Sequence, residues 1–429
     1  MRKFLTITTA LSSILLSAEA MAAGFHLREQ SSAAQGNAFA GATAGAEDGS
    51  YAYYNVAGLT RQTGTQFVGG ATYIAPKASA KNVHDEEGKR DADVHNIVYA
   101  AVAPYFTISQ QVNDRLFVGF AGNSPFGMIT KYDTDWAGSD HGTTSDVKTA
   151  TFTPMAAYKV TDQFSLGAGV QFQYVWAHLN NSSSQTKTDI VKVEGDALDV
   201  GYQLGALYEL NDYTRFGIGY RSEIKHKIKG KMKSSGSQFN NIPGYEAMGA
   251  QIDALLNQKI STRLNTPAML SFGAYHDIND RWAIMAEYQR VFWSSFQKLT
   301  FISRNGHNAT GAGYISQVNE RWRDTNFFSV GTSYMLDEQW KLRLGLAYDQ
   351  SAVRYQHRTP RIPDSDRLWY TIGLGYDYNE HLDFNVGYTY IDARKSSLDT
   401  SLTGNKGKNV TAEYTSSIQV LTFGFVYKF

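Results

Sequence analysis

The chain has 429 residues, with 40 Lys and Arg against 40 Asp and Glu, 13% aromatic residues, 38 Gly, 8 Pro and no Cys. The balanced charge gives no reason to expect nucleic acid as a partner, and the lack of Cys excludes disulfides and thiolate chemistry. Beyond the first residues no apolar run is long enough to cross a membrane as a helix, so a membrane protein of this composition has to be a barrel.

In chain order, Met1-Arg2-Lys3 supplies a positive start, an apolar stretch runs from Phe4 to about Leu16, and Ala20-Met21-Ala22 has the form of a cleavage signal. Together they predict a signal peptide over residues 1–22, too short to remain as a membrane helix. "AGFHLREQSSAAQGNAFAGATAGAEDGS" follows, with neither strand alternation nor a sustained helical stripe. No linker-like shift in composition appears after about Thr60, which predicts one large unit over residues 61–429.

About fourteen segments of that unit alternate apolar with polar or small residues, from "TQFVGGATYIAP" through "FSLGAGVQFQYVW" to "IQVLTFGFVYKF". Most run about 9–12 residues, the length a tilted strand needs to cross the hydrocarbon layer. Short connections such as "VTDQ", "NDY", "IND" and "DEQ" alternate with long polar ones near 77–96, 123–150, 180–196, 227–265, 298–323, 351–367 and 392–416. Outer-membrane barrels have this asymmetry of short inner turns and long outer loops. The pattern predicts an all-β protein, a transmembrane antiparallel β-barrel of about fourteen strands.

Alternation also separates the faces. Leu421, Phe423, Phe425, Tyr427 and the terminal Phe429 share one side of the last segment; Thr422, Gly424 and Lys428 share the other. In "LWYTIGLGYDY" the lipid set is Leu368, Tyr370, Ile372, Leu374, Tyr376 and Tyr378, which leaves Thr371, Gly373, Gly375 and Asp377 inside. A wall of this width is not closed by its own side chains. Residues 23–60 are the natural filling, an N-terminal plug whose Gly, Ala and Ser allow close packing. Phe25, Phe39, Tyr51, Tyr53 and Tyr54 in that stretch argue against a free tail.

The stretch "AGFHLREQSSAAQGNAFAGATAGAEDGSYAYYNVAGL" resembles the N-terminal hatch of FadL-type outer-membrane transporters of long-chain fatty acids. "NSPFGMITKYDTDWAG", "GYRSEIKHKIKG" and "IPDSDRLWYTIGLGYDY" extend the likeness to the end of the chain. It implies a passive channel in the outer membrane of a Gram-negative bacterium, with no ATP or cofactor. A fatty acid or other hydrophobic molecule would be caught between outer loops, held at an apolar internal site and released sideways under control of the hatch. The implied partners are that ligand and the surrounding membrane lipid and lipopolysaccharide, and the implied state is a monomer.

By the same resemblance Phe25 reaches the ligand site, Arg323 lies near the ligand head group, and Trp176 and His178 stand where the family has a further basic residue. Asn55-Val56-Ala57 occupies the place of the family's Asn-Pro-Ala at the gate, and Val in place of Pro implies a turn that is looser or differently paired there. From the residues alone, a carboxylate ligand needs a cation in an apolar pocket. Parity turns Arg343, Arg221 and Glu223 toward the lumen, with Arg221 and Glu223 able to pair. "EAMGAQIDALLNQKI" puts Met248, Ile252, Leu255, Leu256 and Ile260 on one helical stripe, a candidate outer capture groove. The second long loop, with "SPFGMI" and Trp136, is a further source of apolar contacts. Neither H-E-x-x-H nor G-x-S-x-G is present, so enzymatic chemistry and a metal site have no sequence support. Other readings on the same barrel are a channel for monoaromatic hydrocarbons, a surface receptor and an open porin.

Overall fold

The computed structural model describes residues 24–182, 187–241, 248–306, 313–405 and 407–429; the expected signal peptide, residues 1–22, lies outside them. Among the described residues there are nineteen strands. The first ten are β1 (Thr65–His84), β2 (Ala101–Gln111), β3 (Leu116–Asn123), β4 (Gly127–Lys131), β5 (Thr144–Lys159), β6 (Phe164–Ser182), β7 (Asp189–Asn211), β8 (Thr214–Arg221), β9 (Ile224–Ser234) and β10 (Gln258–Thr266). β11 (Met269–Asn279), β12 (Trp282–Val291), β13 (Lys298–Ser303), β14 (Ser316–Asn319), β15 (Thr325–Met335), β16 (Trp340–Asp349), β17 (Arg367–Asn379), β18 (Leu382–Asp399) and β19 (Thr411–Lys428) complete the set.

Fourteen of these form a closed antiparallel wall, all except β4, β9, β10, β13 and β14. Closure comes from β1 against β19, in register from Gln66↔Lys428 to Lys81↔Glu413. A closed wall leaves no unpaired strand edge to the lipid, which is the condition for spanning a bilayer with strands. The expected alternation is present: Leu421, Phe423 and Phe429 are exposed on the outside while Thr422 and Gly424 are buried. Leu368, Tyr370, Ile372 and Leu374 face outward between the buried Thr371, Gly373 and Gly375.

Two expected loops are strands instead. The third long connection is mostly a ladder, since β6 and β7 pair from Phe164↔Tyr208 up to Ser182↔Asp189. The fourth contains the β9–β10 hairpin, paired from Thr266↔Ile224 to Gln258↔Met232. Its sequence alternates Lys with Ile, His and Met, so a stretch with a high polar count still carries a strand period. β9 also pairs with the upper half of β7, from Val191↔Ser234 to Asp196↔Lys229, and so extends the wall beyond the end of β8.

The N-terminal segment packs against the inner side of the wall. Every residue from Gly24 to Thr60 except Glu47 is buried. It folds as short helical turns fixed by local caps: the Ser31 hydroxyl accepts from the Ala34 N–H at 3.2 Å, and the Asp48 carboxylate accepts from the Ser50 N–H at 2.8 Å. Cations of the wall satisfy its free carbonyls. Arg215 donates to Ala44 and Gly45, both at 3.0 Å, and Arg221 donates to Tyr53 at 3.1 Å. Wall glycines make room for its backbone. A Cβ at Gly217 would collide with the Thr43 carbonyl, and one at Gly345 with the Asn37 backbone.

The contact at Gly217 gives a first prediction. Gly217→Leu overpacks the seam between wall and segment, at a cost of about 1–3 kcal/mol. Trypsin should then cut after Arg28, buried in the folded chain, roughly ten-fold faster, while the barrel itself stays protected; unchanged cleavage at Arg28 would count against the packing described.

Candidate functional site

The first residues of the N-terminal segment run beside a break in the wall. β3 ends at Asn123, and Ser124-Pro125-Phe126 turn the chain inward before β4 resumes. Proline has no N–H for the ladder, so this interruption is local chemistry and not an accident of length. β4 pairs with β5, whereas β2 pairs with β3 only from Phe106↔Gly122 to Gln111↔Phe117, so Ala101–Tyr105 of β2 have no ladder on that side. The N-terminal segment occupies the break. The Leu27 N–H donates to Pro125 at 2.8 Å, and the Gly127 N–H donates to Phe25 at 2.9 Å.

Those bonds aim the Phe25 side chain into an aromatic cage. Its ring centroid lies 4.8 Å from Trp293, 5.8 Å from Phe126, 5.8 Å from Trp322 and 6.2 Å from Phe296. Phe25 is the floor of a narrow apolar cavity of about 60 Å³, whose walls include Met128, Val147, Ile228, Leu264 and Phe296. A second, wider cleft further out shares Leu179, Val193, Leu299, Phe301 and Arg361 with it, so an apolar path runs from the outer loops down to Phe25.

Two charged groups from the loops stand at the cavity. Arg361 lines both chambers. Its guanidinium donates to Thr144 O (2.8 Å), Ser145 Oγ (2.8 Å), Asn180 O (3.0 Å) and Asn181 Oδ1 (2.7 Å). These partners are neutral, and among the described residues Arg361 has no carboxylate within ion-pair distance. Burial lowers its pKa only to about 10, so the cation persists at neutral pH. Glu320 accepts from Trp322 Nε1 at 3.2 Å, and burial raises its pKa to about 7. A positive charge is therefore held at the wall of an apolar chamber beside a carboxyl group that is half neutral.

Residues 13–429 match the family described as outer membrane protein transport protein (OMPP1/FadL/TodX). The chain belongs to this family. A long-chain fatty acid transport protein of Escherichia coli O6:H1 is 31% identical over 90% of both chains. Outer membrane protein P1 of Haemophilus influenzae is 27% identical over 99% of this chain and 98% of its own. Among solved structures, a Pseudomonas aeruginosa FadL homologue superposes with a TM-score of 0.84 at 25% identity, covering 95% of this chain and all of its own. The OMPP1/FadL/TodX proteins are transporters and not enzymes, and this member is an outer-membrane protein whose apolar chamber suits hydrophobic compounds.

Within this FadL-type frame the expected residues separate. Phe25 lies in the chamber. Arg343 does not serve it: its guanidinium pairs with Glu47 of the N-terminal segment, which Lys341 also reaches at 2.6 Å. Arg323 sits in a separate polar cleft at the surface, donating to Ser351 O at 3.1 Å and 3.8 Å from Asp366. The period of β6 sends Ala177 and Leu179 into the chamber, so Trp176 and His178 are on its outer face, where His178 meets Glu194 at 3.1 Å. Arg221 does not pair with Glu223; it bonds Tyr53, Gln203 and Gln171, while Glu223 is held by Asn265.

The turn at Asn55-Val56-Ala57 is held by side-chain hydrogen bonds. Asn55 Oδ1 accepts from the Ala57 N–H at 3.0 Å, and its amide donates to Thr43 O at 2.7 Å and Ala206 O at 2.9 Å. Val56 is the first residue of a short helix, where the N–H that Pro would lack has no intrahelical partner in any case. The stripe residues lie on the expected helix, Met248–Leu256, and on β10. Leu256 lines the outer cleft and Ile260 the inner chamber, whereas the side chains of Met248, Ile252 and Leu255 lie outside the described residues. Phe126 and Met128 of "SPFGMI" reach the chamber, but Trp136 stacks on Tyr132 at 4.3 Å in another cluster. Arg361, Glu320, Trp293 and Trp322 escape sequence reading because they stand in loops without a period.

A second prediction follows from Glu320. Its pKa rises from 4.5 to about 7 on folding, so the folded state holds the proton longer and loses stability as pH rises through that window. The shift corresponds to no more than about 3 kcal/mol. Hydrogen exchange around Trp322 should accelerate across this window in the native protein and show a flatter profile in Glu320→Gln; identical profiles would remove Glu320 as the cause.

Proposed function

We propose that this barrel is a passive channel for long-chain fatty acids, which descend from the outer cleft to the chamber and leave sideways into the membrane. The observation that carries the carboxylate is Arg361, a cation without a carboxylate partner at the border of two apolar chambers. A carboxylate beside it gains charge-assisted contacts that an uncharged hydrocarbon cannot make. The long apolar path suits the acyl chain. The transport of fatty acids by the E. coli relatives accords with this reading.

Gating is assigned to residues 24–60 acting as a plug. A ligand tail that reaches the bottom of the chamber displaces the Phe25 ring. Because Phe25 and Leu27 are bonded across the break to Gly127 and Pro125, that displacement loosens the same contacts that close the gap beside β2. Asn55, Val56 and Ala57 anchor the far end of the plug against β7, so motion concentrates in the first residues. The gap beside β4 is the lateral exit, and no energy source beyond the ligand gradient is used.

The closing test compares ligands on the purified protein. Arg361→Gln should weaken oleate binding by about 10–100-fold, the scale of a charge-assisted hydrogen bond, and leave binding of an alkylbenzene nearly unchanged. Equal losses for both ligands would return the chamber to a general hydrocarbon site, the reading of the toluene transporters that share the fold.

A further inference from the structure

The outer face of the β9–β10 hairpin carries charge that the transport path does not use. "IKHKIKGKMKS" places Lys225, Lys227, Lys229, Lys231 and Lys233 on one side of β9, all exposed. Ile228 and Met232 on the other side line the two chambers. With a strand period of two, neighbouring ammonium groups emerge about 6.7 Å apart. The buried inner side prevents the strand from turning the lysines elsewhere.

Neighbouring strands add to this charge where pairing would be expected to neutralise it. Lys231 stands directly opposite Lys259 and Lys227 opposite Arg263 on β10, and Lys233 opposite Lys192 on β7. Like charges directly opposed across a ladder are destabilising. Three carboxylates stand among them: on β7 Asp196 lies opposite Lys229, and Glu194, which His178 meets at 3.1 Å, lies opposite Lys231, while Glu223 lies 3.8 Å from Lys225. Among the described residues Lys227, Lys229, Lys231, Lys233, Lys259 and Arg263 form no ion pair. In a chain of net charge +0 this is a local concentration and not a general basicity.

Its height on the barrel identifies the counter-charge. On β7 the lipid-facing row Tyr202, Val200 and Leu198 is exposed and apolar, and ends where Asp196 pairs with Lys229. The lysine row therefore begins at the outer edge of the hydrocarbon band. Tyr174 and Trp176 mark the border from β6, as aromatic side chains do at membrane interfaces. Lys229, Lys231, Lys259, Arg304 and Trp176 share one shallow cleft with Glu194 and Asp196, so cations outnumber carboxylates there by four to two. Polyanionic head groups of an outer leaflet lie at that level, and a soluble anion would have no need of the adjoining apolar row.

We propose that this face binds the phosphate groups of a phosphorylated glycolipid in the outer leaflet, whose acyl chains lie along the apolar row of β7 below. The lysines act as a ladder of cations whose mutual repulsion, offset in part by Glu194, Asp196 and Glu223, is relieved further by the phosphates. Such a lipid would hold the hairpin, and with it Ile228 and Leu264 of the chamber, in a fixed position.

The test uses the full chain in detergent with three probes: a bis-phosphorylated glycolipid, the same glycolipid with its phosphates removed, and a zwitterionic phospholipid. Native mass spectrometry should find the phosphorylated form retained at least about ten-fold better than the others, with retention falling as salt rises. Replacing Lys227, Lys229, Lys231 and Lys233 together by Gln should abolish that preference, and replacing the same four by Arg should keep it. Equal retention of the dephosphorylated glycolipid overturns the proposal, as does an unchanged preference in the Gln variant. Displacement of the lipid by inorganic phosphate at millimolar concentration would mark a general anion site and overturn the lipid assignment. The comparison of lipids on the native chain and the Arg variant decides the matter if the Gln variant does not fold.

Discussion

A closed wall of fourteen strands encloses more space than its own side chains fill, and the rest of the structure follows from that constraint. The space is taken by backbone as much as by side chains. Gly217 and Gly345 let carbonyls of the N-terminal segment approach the wall, and Arg215 and Arg221 accept the task of satisfying them. A segment with few bulky residues is suited to this, because close approach is limited by Cβ atoms. Its polar backbone has no water to turn to, so the wall must present donors at matching heights. The barrel's buried arginines are thus mostly structural, which is why Arg343 pairs with Glu47 and leaves the ligand to another cation.

The wall is interrupted beside β4, and the first described residues of the N-terminal segment lie there. Pro125 interrupts the β3–β4 path, and Phe25 and Leu27 supply the missing backbone partners. Closing the wall and forming the chamber floor therefore meet in one residue, Phe25. An aromatic floor made of Phe25, Trp293 and Trp322 is rigid in shape yet held by edge contacts of modest energy. Such a floor can yield to a ligand without loss of the cap and carbonyl contacts that anchor residues 31–60.

The strand count, the alternation of short and long connections and the two faces of β17 and β19 were legible in the sequence, because each is a period-two pattern imposed by lipid on one side and polar space on the other. The failures have a common cause. Nothing local in the sequence shows the partners of Arg343, Arg221 and Arg323: Glu47, Tyr53 and Asp366 lie far away in sequence or across a loop, and the neighbouring Glu223 expected for Arg221 is not its partner. Trp176 and His178 came from a family position in place of the strand's own parity, and the parity points them outward. Phe25 stands at the cavity floor, where the resemblance and its place near the start of the N-terminal segment both put it. Arg361 precedes the quoted "IPDSDR" by one residue, in a connection whose conformation nothing local dictates.

β9 shows how one strand can serve two media without compromise. Its inner residues, His226, Ile228 and Met232, are fixed by the chamber and the cleft behind it, so no slip of register is permitted. The outer residues are then free to be of any kind that the surroundings tolerate, and an unbroken row of lysines is the least tolerable in isolation. Lys231 facing Lys259 would be relieved by a single exchange to Gln or Glu, with no effect on the inner face. Like charges oppose each other at Lys227–Arg263, Lys231–Lys259 and Lys233–Lys192, whereas Lys229 faces Asp196 and Lys231 also faces Glu194, in a chain whose net charge is +0. A charge arrangement that the fold does not need, and that Glu194, Asp196 and Glu223 neutralise only in part, is most economically explained by something outside the fold that neutralises the remainder.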